Sequence, residues 1–176
     1  VLAVGVENGY DLVHMPTPYS VERIVPGSGY LQSIVQVGEF VVVRTDETVE
    51  IRRLEDFGLV GALDGEPYSI RGVASDGTYL YVSTSDLIEV GILGEQGNFV
   101  TVTEVESPSG GQLALARTAS GVPVLVQYQW YGDIAVFSAA NPEQPVLLGE
   151  TNQRLSPFPV FDGDRIVVSE NGFSLF

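Results

Sequence analysis

The chain contains no cysteine and no lysine. Without cysteine there is no disulfide framework, no thiolate metal site and no cysteine nucleophile. That absence suits the cytosol and a secreted prokaryotic protein equally. Without lysine, all eight basic residues are arginine, and they face 23 acidic residues for a formal net charge of −15. Such a surface disfavours nucleic acid and anionic membranes, whose phosphates need cationic side chains to displace their counterions. It suits solubility at high ionic strength, cation binding or a basic partner, with general acidic solvation as the simplest reading.

Other absences narrow the field further. His14 is the sole histidine and stands beside the sole methionine, Met15, so a histidine-based metal site or triad would depend on it alone. No serine sits in the glycine frame of a nucleophile elbow, and no phosphate-binding glycine loop is present. Long apolar runs are missing too: Phe40 to Val43 and Val122 to Val126 have the length of strands and fall far short of a bilayer span. Membrane insertion is therefore not expected. The sequence opens on Val1 without a basic and then apolar leader, so any targeting peptide is expected to have been removed or to lie outside this sequence. No stretch carries convincing helical periodicity.

What is present is a repeat. A 176-residue chain with 44% hydrophobic residues is long enough for one ordinary domain or a few small units sharing a core. Residues 7–12 read E-N-G-Y-D-L and residues 170–175 read E-N-G-F-S-L. Between them, the stretch from Val37 to Leu54 returns 39 positions on: Gly38 meets Gly77, Phe40 meets Tyr79, Val43 meets Val82, Thr45 meets Thr84, and Val49-Glu50-Ile51 meets Ile88-Glu89-Val90. Gly121 opens a further copy and Gly163 another. The two ends are thus the same part of one unit, four periods of about 41 residues apart.

Each unit is built of strands. In the middle copy, S-I-R-G-V-A-S, Y-L-Y-V-S-T, L-I-E-V-G-I-L and F-V-T-V-T-E-V are separated by Asp-Gly, Ser-Asp and G-E-Q-G-N, which is turn chemistry. Alternation over Phe99 to Val105 marks an outer strand with one wet face. Four strands per unit of about 41 residues is the arithmetic of a β-propeller blade. A β-sandwich with evenly spaced strands is the alternative, but it does not explain the recurring order of strand and turn types.

The segment G-D-I-A-V-F-S-A-A-N-P-E-Q-P-V-L-L-G-E, Gly132 to Glu150, resembles the bacterial and archaeal propeller family named after its LVIVD repeat. Ile134 to Phe137 matches that family's strand, Asn141-Pro142 its turn, and Pro145 to Gly149 its return into the outer strand. Phe137-Ser138 stands where the family carries an acidic position, and the other units lack Asn-Pro. The resemblance implies a secreted or cell-surface propeller, often without known catalysis, and so an extracytoplasmic location.

Counting strands assigns Leu2–Val6, Tyr10–His14 and Tyr19–Val25 to the second, third and fourth positions of a first unit. It assigns Phe158–Phe161, Arg165–Ser169 and Phe173–Phe176 to the first three positions of a last. The expected organisation is a partial blade over 1–29, blades over 30–67, 68–110 and 111–153, and a partial blade over 154–176. Second and third positions at both ends cannot share one blade. The expected fold is therefore an all-β open arc of about four and a half blades, completed by further sequence or by another chain.

In a propeller the hairpins between second and third strands share a face with the loops leading into the inner strands. Here those hairpins carry Glu7-Asn8, Asp46-Glu47, Ser85-Asp86, Asp133 and Glu170-Asn171. Repetition makes Asp46, Glu47, Asp86, Asp133 and Glu170 a candidate ring of hard oxygen ligands for Ca²⁺ or Mg²⁺. Tight hairpins require Asp, Asn and Gly in any case. Asp162-Gly163-Asp164 lacks the rest of a calcium loop. The hairpin Tyr128-Gln129-Trp130-Tyr131 is longer than its counterparts and holds the only tryptophan, so Tyr128, Trp130 and Tyr131 are candidate contacts for a protein or carbohydrate partner. The competing reading folds Trp130 back onto a neighbouring blade. Arg71 and Arg117 fall on inner strands, where they could line the channel and hold an anion or pair with the surplus carboxylates. The function expected from these residues is noncatalytic recognition or scaffolding through the hairpin face. The rivals are an enzyme with an acidic site over the channel and a structural repeat in a surface assembly.

Overall fold

Eighteen β-strands and no helix occur among the described residues, which in this computed structural model are 2–6, 9–14, 23–63, 69–108, 110–129, 133–151, 160–162, 165–169 and 173–174. They form five antiparallel sheets taken in chain order, each strand paired with its sequence neighbour. The first sheet holds β1 (Leu2–Val6), β2 (Gly9–His14) and β3 (Arg23–Ser28). The second holds β4 (Leu31–Val37), β5 (Phe40–Thr45), β6 (Val49–Arg53) and β7 (Leu59–Ala62). The third holds β8 (Gly72–Ser75), β9 (Leu80–Ser83), β10 (Leu87–Leu93) and β11 (Phe99–Glu106). The fourth holds β12 (Gln112–Arg117), β13 (Pro123–Tyr128), β14 (Ile134–Ser138) and β15 (Val146–Thr151). The fifth holds β16 (Val160–Asp162), β17 (Arg165–Ser169) and β18 (Phe173–Ser174). The leading strands lie side by side, β1 by β4, β4 by β8 and β8 by β12. The result is an open, propeller-like arc in which three four-stranded sheets are flanked by a three-stranded sheet at each end.

The repeat reappears as repeated geometry. Gly38, Gly77 and Gly121 all adopt positive φ at the turn into the second strand, a conformation that costs glycine little. Thr45 and Thr84 close the next hairpin identically: each threonine N–H donates to the carbonyl three residues on, Thr48 or Leu87, and each hydroxyl receives the N–H of that same residue. A bulge interrupts the pairing of the third and fourth strands at Ile51/Arg52, Val90/Gly91 and Val136/Phe137. Bulges increase local twist.

Packing follows the two-residue period of a strand buried on both faces. In β5, Val41 and Val43 join Tyr10, Leu12 and Phe57 in a core shared with the first sheet. Phe40 and Val42, pointing the other way, join Val73, Leu80 and Val82 of the third. Tyr81 then meets Leu125, Ala135 and Phe137 of the fourth.

Two expectations need correction. The last strand of the first unit, expected over Tyr19–Val25, runs on through Ser28 as β3, with Tyr19 to Glu22 outside the described residues; register places Tyr10 opposite Gly27, and the Tyr10 ring occupies the space a side chain at 27 would need. Pro26 is accommodated because β3 is an edge strand. Strict alternation in β11 also fails. Thr103 pairs with Val90 and Thr101 with Gly91, so Val102 is the extra residue of the bulge, and Val100 and Val102 both face solvent. At the far end, β16 and β18 overlap the expected Phe158–Phe161 and Phe173–Phe176.

Candidate functional site

The hairpins between second and third strands meet the segments that lead into β4 and β12. The Tyr30 amide donates to Asp46 Oδ1 (2.7 Å), the Ser107 amide to the Asp86 carbonyl (2.8 Å), and Gln129 Nε2 to the Gly110 carbonyl (2.6 Å). On this face a cavity of about 410 Å³ opens between the second, third and fourth sheets.

Its charge comes from Arg44, next to last in β5, and Arg71, just before β8. Arg44 spans three sheets: Nε donates to the Ile70 carbonyl (3.1 Å) and Nη1 to Gln112 Oε1 at the start of β12 (3.3 Å). Burial, and then the like charge of Arg71, holds the Arg44 guanidinium below its usual pKa. Tyr128 ends β13 opposite Gln112 and is half-buried in the wall. Burial raises its phenol pKa, and Arg44 opposes the shift. Among the described residues no carboxylate lines the cavity and neither guanidinium forms an ion pair.

A buried polar cluster holds the opposite wall. Gln127 is wholly buried; Nε2 donates to Ser83 Oγ (2.7 Å), and its carbonyl accepts from Ser107 Oγ (2.9 Å). Ser83 Oγ in turn accepts the Gly111 amide (3.2 Å), and Ser107 Oγ accepts the Gly110 amide (2.9 Å). Three side chains thereby fix the Gly110-Gly111 backbone. Only glycine fits at 110, where φ is +51° and a Cβ would stand 2.6 Å from two carbonyl oxygens.

The sequence-derived candidates separate. Arg71 and Tyr128 line the same cavity. Arg117 ends β12 at the other extremity, about 17 Å along the strand from Gln112, where it donates to the Gly121 carbonyl (3.1 Å). Trp130, Tyr131 and Glu170 lie outside the described residues. Asp46 caps the Tyr30 amide, and Asp86 accepts the Ser85 hydroxyl (2.9 Å). Asp133 borders a separate opening of about 460 Å³ with Glu150 and Thr151. Among the described residues no three carboxylate or imidazole groups converge as metal ligands, so Asp46, Glu47, Asp86 and Asp133 do not form a ligand set there. Arg44 is the site residue that sequence reasoning missed. Its one signal was a charged residue at the end of the apolar run Phe40 to Val43.

No protein-family description and no curated protein matches the chain. Solved structures do. A functionally unknown protein from Desulfotomaculum acetoxidans DSM 771 aligns over 95% of this chain and 58% of its own, with 15% identity and a TM-score of 0.67. The computationally designed Ika4 protein aligns over 84% of this chain and 89% of its own, with 14% identity and a TM-score of 0.59. The designed Ika8 protein aligns over 94% and 51%, with 15% identity and a TM-score of 0.61. The chain thus spans 58% of the length of the Desulfotomaculum protein and 51% of Ika8. At such identities the likeness concerns the fold alone.

Proposed function

We propose that the chain is a noncatalytic recognition module that binds a protein or carbohydrate partner through its hairpin face. The observation behind this reading is the three-sheet cavity on that face. Its volume falls in the range of small-molecule sites, about 300–1,000 Å³, and it is walled by Tyr128, two glutamine side chains and two guanidinium groups. The Asn141-Pro142 pair and the Pro145 to Gly149 return are the sequence features that favour the LVIVD-repeat propellers and with them an extracytoplasmic location. Binding to arrayed glycans and peptides, measured for the wild type and for Trp130→Ala, tests the reading. Binding is expected to weaken while the thermal transition stays in place. Turnover of any bound glycan or peptide, or binding indifferent to the hairpin face, overturns it.

One observation favours a structural role in a surface assembly. Val146, Leu147 and Leu148 of the outermost strand β15 are 55%, 45% and 61% exposed, an apolar edge of the kind that pairs with another chain. Sedimentation decides: a monomer at high concentration counts against it.

A further inference from the structure

Arg44 and Arg71 share one cavity in a chain where 23 acidic residues outnumber eight basic ones. Surplus carboxylates ordinarily neutralise such cations, as Glu50 does Arg52 at 2.8 Å. Here the two like charges are placed together, one of them half-buried, and among the described residues no carboxylate lines the space between them. Arg44 is anchored through Nε and Nη1, and among the described residues neither its Nη2 nor the Arg71 guanidinium has a hydrogen-bond partner. Guanidinium groups held in this way match a planar carboxylate.

The remaining walls discriminate among anions. A phosphate site ordinarily recruits backbone amides, but the Gly110 and Gly111 amides donate inward to Ser107 and Ser83. The net charge of −15 repels a polyanion or an acidic protein at long range, and a monoanion far less. The Tyr128 ring and the Gln112 side chain offer an aromatic face and an amide, which suit a hydroxylated ring.

We propose that this cavity is a subsite for a sugar bearing one carboxylate, such as a single uronic acid unit, with Arg44 and Arg71 holding the carboxylate and Tyr128 packing against the ring. The proposal deepens the reading of the hairpin face as a recognition surface and rests on it.

Titration calorimetry of the intact chain with sodium glucuronate, glucose, inorganic phosphate and an acetylated Asp-Glu dipeptide tests the assignment. Glucuronate is expected to bind and glucose not to. Arg71→Gln, at an exposed position and with its circular dichroism compared with the wild type, is expected to weaken glucuronate binding at least about tenfold. Arg44→Gln should do the same, and raising salt from about 0.05 to about 0.5 M should weaken it also. Glucuronate binding no better than glucose, tighter binding of phosphate or of the dipeptide, or binding unchanged in Arg71→Gln each overturns the proposal. Should glucuronate fail while arrayed glycan or peptide binding still depends on Trp130, the anionic subsite falls and the hairpin face remains. Loss of both removes both.

Discussion

The Tyr10 hydroxyl in β2 donates to the Glu50 carboxylate in β6, joining the first sheet to the second. Glu50 also accepts Arg52 Nε at 2.8 Å, and Arg52 Nη1 donates to the Phe57 carbonyl at 2.9 Å. Phe57, buried at a φ of +57°, is thereby held against Tyr10 and Leu12. Removing the carboxylate leaves a buried phenol and guanidinium without their shared acceptor. Glu50→Ala is expected to cost about 2–4 kcal/mol in urea unfolding, and Tyr10→Phe about 1–2 kcal/mol. If both cost less than about 0.5 kcal/mol, the size of an ordinary surface substitution, the network does not hold the two sheets together in solution.

The same contact predicts an alkaline dependence. Burial, reinforced by the Glu50 hydrogen bond, pushes the Tyr10 pKa up to about 12. The folded state therefore favours the neutral phenol. Its contribution to stability is complete below the unfolded value near pH 10 and is lost as pH rises through about 12. Unfolding free energy measured from pH 9 to pH 12 is expected to fall more steeply for the wild type than for Tyr10→Phe. Parallel curves would show that Tyr10 titrates normally.

Glycines offer a contrast between two causes. Gly77 has a φ of +99° and open space around it, so Gly77→Ala is expected to cost about 1 kcal/mol through backbone strain alone, with Gly77→Asn recovering much of it. At Gly27 the obstacle is the Tyr10 ring. Gly27→Ala is expected to cost about 1–3 kcal/mol by overpacking, and asparagine there should be worse, not better. Urea midpoints of the four variants with unchanged m-values check both.

That contrast also marks what could be read from the sequence. Gly38, Gly77 and Gly121 recur because local backbone geometry recurs, and Thr45 and Thr84 recur because they close the same turn. Such features are fixed within a few residues and survive as a period. Gly27 has no counterpart, since what it accommodates is a ring from a neighbouring strand. The candidate site divides in the same way. The repeat pointed to the face and to Tyr128 and Arg71. Arg44, however, reaches Gln112, 68 residues on, across an intervening sheet, and no periodicity encodes which residues converge at the centre of an arc. The sequence suggests inner strands for both Arg71 and Arg117, but Arg71 lies just before β8 at the cavity end while Arg117 closes β12 at the opposite end, and the order of strands alone does not encode that separation.

Gln127 gives the sharpest test of how the cavity wall is held. It is buried within β13, and through Ser83 and Ser107 it fixes the amides of Gly111 and Gly110. Gln127→Leu keeps similar volume but removes both the donor to Ser83 and the acceptor for Ser107. It is expected to cost about 1–3 kcal/mol, the desolvation penalty of buried hydroxyls left short of a partner. A purely structural loss would lower stability without singling out any amide. Loosening of the wall has its own signature: faster hydrogen exchange at the Gly110 and Gly111 amides than at the amides of β9 and β10 in the same variant. Exchange at those two glycines rising only in step with global stability would mean that the backbone conformation of the wall is set by its own turn, and that Gln127 merely fills the core.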